Sequence, residues 1–263
     1  MQGNPNRDES DTVEVINPTG RGAALILCEH ASNHIPARYD GLGLKEGDRQ
    51  SHAAWDPGAR AVALALSRAL DAPMIASKVS RLVYDCNRPP EAPSAMPERS
   101  EYIEVPGNRD LSETARAERV RAVYAPFCDA VSTLIAARKA ENLGTHLITI
   151  HSFTPLYYGQ PRDCEIGILH DSDNRLADAI LDEAHRLPDR VIRRNDPYGP
   201  EDGVTHSLKL HGIAHGLPNV MIEVRNDLLV GAEAQAAMTD ELLMLLHPAM
   251  AKLDQTSPGG THA

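Results

Sequence analysis

The chain has 263 residues, 42% of them apolar, and 26 Lys and Arg against 37 Asp and Glu give a formal charge of −11. That length supports one large core; a nucleic-acid partner would need a cationic surface, and no Lys/Arg cluster stands out to supply one. No stretch nears the roughly 18 apolar residues of a membrane helix. The four cysteines (Cys28, Cys86, Cys128 and Cys164) lack the paired spacing of a structural zinc site, and the N-terminus lacks a secretory leader, so the expected setting is the cytoplasm.

Residues 1–19 are polar and are expected as a flexible tail, residues 20–253 as a single α/β domain, and residues 254–263 as a second flexible tail. The run over 23–28 predicts a strand. After a loop with Pro36 and Gly43, Asp56-Pro57 predicts a helix start, running to about Leu70. There the Asp oxygen would accept a free amide, and Pro lacks only an amide that has no partner. Residues 74–76 and 82–84 read as short extended segments; Pro89, Pro90, Pro93 and Pro97 then exclude regular helix from a loop resembling an insertion beside the site. The pattern over 111–140 contains Pro126 and predicts two helices or one kinked helix. Strands are expected at 146–150, 166–169 and 220–222, helices at 173–185, 205–216 and 232–246, and a turn at 195–200. Strands alternating with amphipathic helices give a three-layer α/β/α sandwich with a mixed, largely parallel sheet.

Polar groups directly after short apolar strands fall where open α/β sheets place their sites. His30 follows 23–28, His151 follows 146–150, and Glu223 with Arg225 follows 220–222. Imidazole and carboxylate suit Zn²⁺, although His30 alone reads equally well as a hydrogen-bonded loop histidine. Asp56 reads as a helix cap whose second oxygen is free for a metal. The planar fork of Arg88 beside the Asn87 amide suits an anionic substrate; the competing reading is an Asp85–Arg88 ion pair. Ser152 next to His151 does not make a dyad, because neighbours in an extended chain face opposite ways and no Gly-x-Ser-x-Gly elbow occurs. Glu223 is placed to take a proton from metal-activated water. Arg225, on the same side of an extended chain, would steady an oxyanion or pair with Glu223. His211 and His215 would share a helix face, and a substrate-contacting His211 is favoured over a second metal site.

In chain order, Glu29-His30-Ala31-Ser32-Asn33 with Pro36, Trp55-Asp56-Pro57-Gly58-Ala59, Ser80-Arg81-Leu82-Val83-Tyr84-Asp85-Cys86-Asn87-Arg88-Pro89, Pro106-Gly107-Asn108, His151-Ser152-Phe153 and Ile222-Glu223-Val224-Arg225-Asn226-Asp227 resemble the N-formylglutamate amidohydrolase family, over roughly residues 20–235. That family is similar to the zinc carboxypeptidase and aspartoacylase group. The resemblance therefore implies a zinc carboxypeptidase-like fold and a metal-activated water attacking an amide carbonyl. It implies Zn²⁺, or another divalent metal, on His30 and His151. Asn33 stands where carboxypeptidase-like proteins have a glutamate, which leaves Asp56 or Glu29 as third ligand. Asp56 is preferred because family members with a Pro-His-Ser-Gly form lack the acid at position 29. The resemblance also implies Asn87 and Arg88 on the substrate carboxylate and Glu223 as general base. The expected reaction takes a small acidic N-acyl amino acid, N-formyl-L-glutamate, to formate and L-glutamate, with neither nucleic acid nor membrane as partner. The alternatives are a deacylase or amidase of another N-acyl amino acid or small peptide, and a non-catalytic binding protein for small acidic ligands.

Overall fold

The computed structural model describes residues 11–256. In chain order the strands are β1 (Val13–Ile16), β2 (Ala24–Cys28), β3 (Met74–Ser77), β4 (Arg99–Ser100), β5 (Ile103–Glu104), β6 (His146–Phe153), β7 (Leu156–Tyr157), β8 (Gln160–Pro161), β9 (Ile166–Leu169), β10 (Ile192–Arg194) and β11 (Asn219–Arg225). The helices are α1 (Glu46–Gln50), α2 (Ala59–Ala69), α3 (Glu113–Arg119), α4 (Ala125–Ala140), α5 (Arg175–Asp182) and α6 (Ala232–Thr256).

Strands β2, β3, β6 and β9 are apolar along most of their length because both of their faces are covered; every residue in them is buried. They belong to a seven-stranded sheet in the order β1-β3-β2-β6-β11-β9-β10. Strands β3, β2, β6 and β11 run parallel, and the sheet is mixed because β1 and the β9–β10 pair run against them. Alternate side chains serve two cores. Ile26, Ile148, Ile150 and Ile222 meet α2, α5 and α6 on one face, while Leu25, Leu27, Ile75 and Leu147 meet α4 on the other. Two hairpins, β4–β5 and β7–β8, stand outside the sheet.

Several expectations are corrected. Residues 13–16, placed in the N-terminal tail, form β1 and pair with β3, and α6 runs past residue 253 to Thr256. Residues 1–10 and 257–263, the outer parts of the expected tails, lie outside the described residues. Residues 82–84 form a turn, not an extended segment: the Ser80 hydroxyl accepts the Leu82 amide (3.2 Å), and the Ser80 carbonyl accepts the Val83 amide (2.9 Å). The expected helix over 205–216 is mostly a π-helical turn (Leu208–Gly212) followed by a 3₁₀ turn (Ile213–His215).

Pro126 neither splits nor ends its helix. A π-helical turn at Val120–Tyr124 joins α3 to α4 and leaves Pro126 in the first turn of α4. Proline has no N–H for the carbonyl four residues back, that of Ala122. The Thr12 hydroxyl donates to that carbonyl instead, at 2.8 Å. By length and composition Glu113–Ala140 is apolar enough to cross a membrane. In the fold, α4 lies against β1 and β3 and buries Phe127, Val131 and Leu134.

Candidate metal centre

The chain leaves β2 to form β3 on one side and later returns to form β6 on the other side of β2. The crevice at the carboxyl ends of β2 and β6 is therefore the switch point at which such sheets bind ligands. His30 lies two residues past β2. His151 sits within β6, where parallel register places it directly beside Glu223 of β11. Asp56 is tied to the same place, since its amide donates to the His30 carbonyl at 3.0 Å. It is not the cap of α2. That helix starts at Ala59 after Gly58, whose φ of 84° requires glycine and whose Cβ would stand 2.5 Å from Leu229. Freed of capping, the Asp56 side chain turns to the imidazoles.

His30 Nδ1, His151 Nδ1 and Asp56 Oδ2 converge: the nitrogens are 3.1 Å apart, and Oδ2 lies 3.2 Å from the first and 2.9 Å from the second. Donors about 2.05 Å from a tetrahedral ion stand about 3.3 Å apart, so three corners of such a site are nearly in place. The outer nitrogens fix the tautomers. His30 Nε2–H donates to Asp85 Oδ1 at 2.7 Å, and His151 Nε2 faces Glu29 Oε2 at 3.2 Å, near enough for an ion pair though not aligned as a hydrogen bond. Imidazoles held this way turn two Nδ1 lone pairs toward one point, an arrangement that calls for a cation between them. These buried residues form a cluster capable of holding a divalent metal. Glu29 stands behind His151, on the far side from the convergence point. That geometry puts Asp56, and not Glu29, at the convergence point.

The charges agree. Burial pushes both imidazoles down, yet Glu29 and Asp56 lift His151 well above the usual histidine value, and Asp85 and Asp56 outweigh burial and Arg81 to raise His30. Asp56 is held low against its burial by both imidazoles. Positive charge is thus favoured at the centre. Glu223 is the exception among the acids: burial, and then Asp56, push its carboxyl up to about 7. Its Oε2 has no hydrogen-bond partner among the described residues. An unpartnered carboxyl titrating near neutrality is matched to proton transfer.

The centre opens into a cleft of about 470 Å³ lined by Arg81, Asn87, Arg88, Arg162 and Tyr198 among others. Arg81 bridges the outer oxygens, with Nη1 3.4 Å from Asp56 Oδ1 and Nη2 3.0 Å from Asp85 Oδ2.

Residues 22–230 match the N-formylglutamate amidohydrolase family. The chain belongs to that family. A structure of a gene product from Agrobacterium tumefaciens is 52% identical, with a TM-score of 0.92 over 94% of this chain and 98% of that one. The N-formylglutamate amidohydrolase from Ralstonia eutropha JMP134 is 18% identical, with a TM-score of 0.68 over 93% of this chain and 99% of that one, and shares the fold. No curated protein matches the chain.

In this member of the N-formylglutamate amidohydrolase family, the structure gathers His30, Asp56 and His151 around one point, and puts Glu223, Asn87 and Arg88 in the cleft wall. The Asn87 amide is engaged by the loop after Gly203: Nδ2 donates to the Val204 carbonyl (2.5 Å), and Oδ1 accepts the Ser207 amide (2.9 Å). Arg88 Nη1 donates to the Gly203 carbonyl, and the rest of its fork has no partner among the described residues. Two expected residues do not line the cleft. Arg225 is turned to Asp227 (2.8 Å), Glu165 (3.7 Å) and the Arg162 carbonyl (3.2 Å). His211 is buried in the π-helical turn, where burial lowers its pKa to about 4. Sequence reasoning gave no role to Arg81 or Arg162. Arg81, four residues before Asp85 at the start of a turn, was the more findable of the two.

Proposed function

We propose that this chain is a zinc-dependent amidohydrolase, of zinc carboxypeptidase-like fold, that cleaves N-formyl-L-glutamate to formate and L-glutamate. The observation that carries this reading is the convergence of His30 Nδ1, His151 Nδ1 and Asp56 Oδ2 beside Glu223, whose Oε2 has no hydrogen-bond partner among the described residues. Membership of a family named for this reaction supports the substrate. A zinc ion held by the three donors would supply Lewis acidity, bringing the pKa of water to about 7 and polarising the scissile carbonyl.

The protein's own groups do the rest. Asp85 and Glu29 keep the imidazoles in the tautomer and orientation that present Nδ1. Arg81 holds Asp56 Oδ1, so that Oδ2 stays aimed between the rings. Glu223 Oε2 takes a proton from the attacking water and passes it to the departing nitrogen, so that the amide C–N bond breaks as the new C–O bond is secured. Arg88 receives a substrate carboxylate from the cleft wall. Four free cysteines accord with a reducing, cytoplasmic setting.

The test compares metal-stripped and zinc-reloaded protein on N-formyl-L-glutamate, N-acetyl-L-glutamate, N-formyl-L-glutamine and N-formyl-L-methionine, following formate or acetate and free amine. Zinc-restored turnover with the highest kcat/KM on N-formyl-L-glutamate is expected. Undiminished turnover after stripping, or a clear preference for another substrate, would refute the proposal.

A further inference from the structure

Two guanidinium groups in the cleft carry charge that the protein does not neutralise. Arg81 is paired with Asp56 and Asp85, but among the described residues neither Arg88 nor Arg162 meets a carboxylate. The acids elsewhere in the cleft wall are engaged. Glu101 faces His52 Nε2 (2.9 Å) and accepts the Tyr158 amide (2.9 Å), while Asp202 accepts the Gly199 amide (2.8 Å).

Arg162 is also rigidly presented. It directly follows β8, and its amide donates to the Pro155 carbonyl at 2.9 Å, closing the β7–β8 hairpin. Its guanidinium carbon lies 4.4 Å from the centre of the Tyr157 ring and 4.7 Å from that of Tyr198, with Phe153 at 5.6 Å. Nη1 donates to the Tyr198 hydroxyl (2.9 Å) and reaches the Thr154 carbonyl (3.5 Å). Aromatic rings thus sit around the plane of the fork and one nitrogen is anchored, while Nε and Nη2 have no partner among the described residues. A planar cation fixed in this way is preorganised for two parallel hydrogen bonds to a carboxylate. Leaving it beside an uncharged substrate group would forgo those bonds while keeping its loss of hydration.

We propose that Arg162 is a second carboxylate receptor, so that Arg88 and Arg162 together select N-acyl amino acids bearing two carboxylates over those bearing one. The scissile bond assumed here rests on the amidohydrolase reading above; recognition of a dicarboxylate does not.

The test uses the zinc-loaded full chain and R162Q. Steady-state kinetics compare N-formyl-L-glutamate with N-formyl-L-glutamine, and calorimetry compares glutarate with butyrate. A charge-assisted pair is expected to make R162Q lose about 10- to 100-fold in kcat/KM on the glutamate substrate. The loss on the glutamine substrate should be at least about tenfold smaller, on the same bond strengths. R162K keeps the charge and the stem but not the two-pronged edge; it should lose part of the preference and reports independently if R162Q does not fold. Equal losses on both substrates, or no glutamate preference in the unmodified protein, would overturn the proposal. If the unmodified protein hydrolyses neither substrate, the amidohydrolase reading fails, and calorimetry still decides this one. Glutarate binding that R162Q abolishes supports it, and glutarate bound no better than butyrate overturns it.

Discussion

Asp85 has to satisfy three donors, two on one oxygen and one on the other. Its Oδ1 accepts His30 Nε2–H at 2.7 Å and the Asn87 amide at 2.9 Å, and its Oδ2 meets Arg81 Nη2 at 3.0 Å. In Asp85→Asn, an amide of nearly the same shape replaces it. If the amide oxygen stays on His30, the NH₂ group confronts Arg81, donor against donor. If it flips, the NH₂ group confronts His30 Nε2–H and favours the tautomer that blocks Nδ1. The change is buried, so water does not relieve either conflict. Loss of the outer partner of a ligating histidine typically costs 10–100-fold in metal affinity, about 1.4–2.7 kcal/mol. With both orientations frustrated, the upper end of that range is expected. Competition with a chromogenic chelator measures the zinc Kd directly, and thermal melting of the metal-free protein separates the effect from unfolding. A zinc Kd within threefold of the unmodified protein would refute the reasoning, because Asp85 would then not be setting the His30 tautomer.

Glu223→Gln should lower kcat by about 10²–10⁴-fold at unchanged zinc content, measured by formate release and elemental analysis. Arg138→Met should destabilise the fold by about 3 kcal/mol in urea denaturation, because the carbonyls of Gly20, Gly22 and Gly144 lose a shared donor while the stem's packing is kept. His211 is held neutral in the fold, with a pKa near 4 against the ordinary 6.5. The unfolded chain therefore binds the extra proton first, and stability is full above pH 6.5 and falls as pH drops toward 4. The loss amounts to about 3 kcal/mol. His211→Asn should flatten that part of the pH dependence in urea midpoints taken between pH 4 and 7.

The sequence displayed His30, His151 and Glu223 because each sits at the end of an apolar run, and position along a strand survives translation into three dimensions. It also narrowed the third ligand to two acids and, through the family resemblance, preferred Asp56. How the Asp56 side chain reaches the imidazoles depends on its direction, which residue spacing does not encode. Asn87 was legible as a polar group beside the site, but its partners Val204 and Ser207 lie 117 and 120 residues away. Arg225 follows the alternation of β11 as expected, yet Asp227, Glu165 and the Arg162 carbonyl capture its guanidinium. Nothing in the sequence sets Arg162 apart from other charged residues, because the rings that present it come from separate stretches of chain. The α/β architecture was readable from the alternation of strand and helix. The edge strand β1 was not, since four residues in a polar context, three half-buried and one exposed, resemble a tail.

The span shared with the family, residues 22–230, is smaller than the folding unit. A chain trimmed to it would lose β1, laying open the backbone of Met74–Ser77 along the outer side of β3, a ready template for pairing with another molecule. The Ala122 carbonyl would lose its donor from Thr12. Met238, Leu242 and Leu246 of α6 would disappear from the core beneath the sheet. Such a fragment would carry every side chain of the metal centre and still precipitate, so recombinant work should begin upstream of residue 11 and retain the last helix.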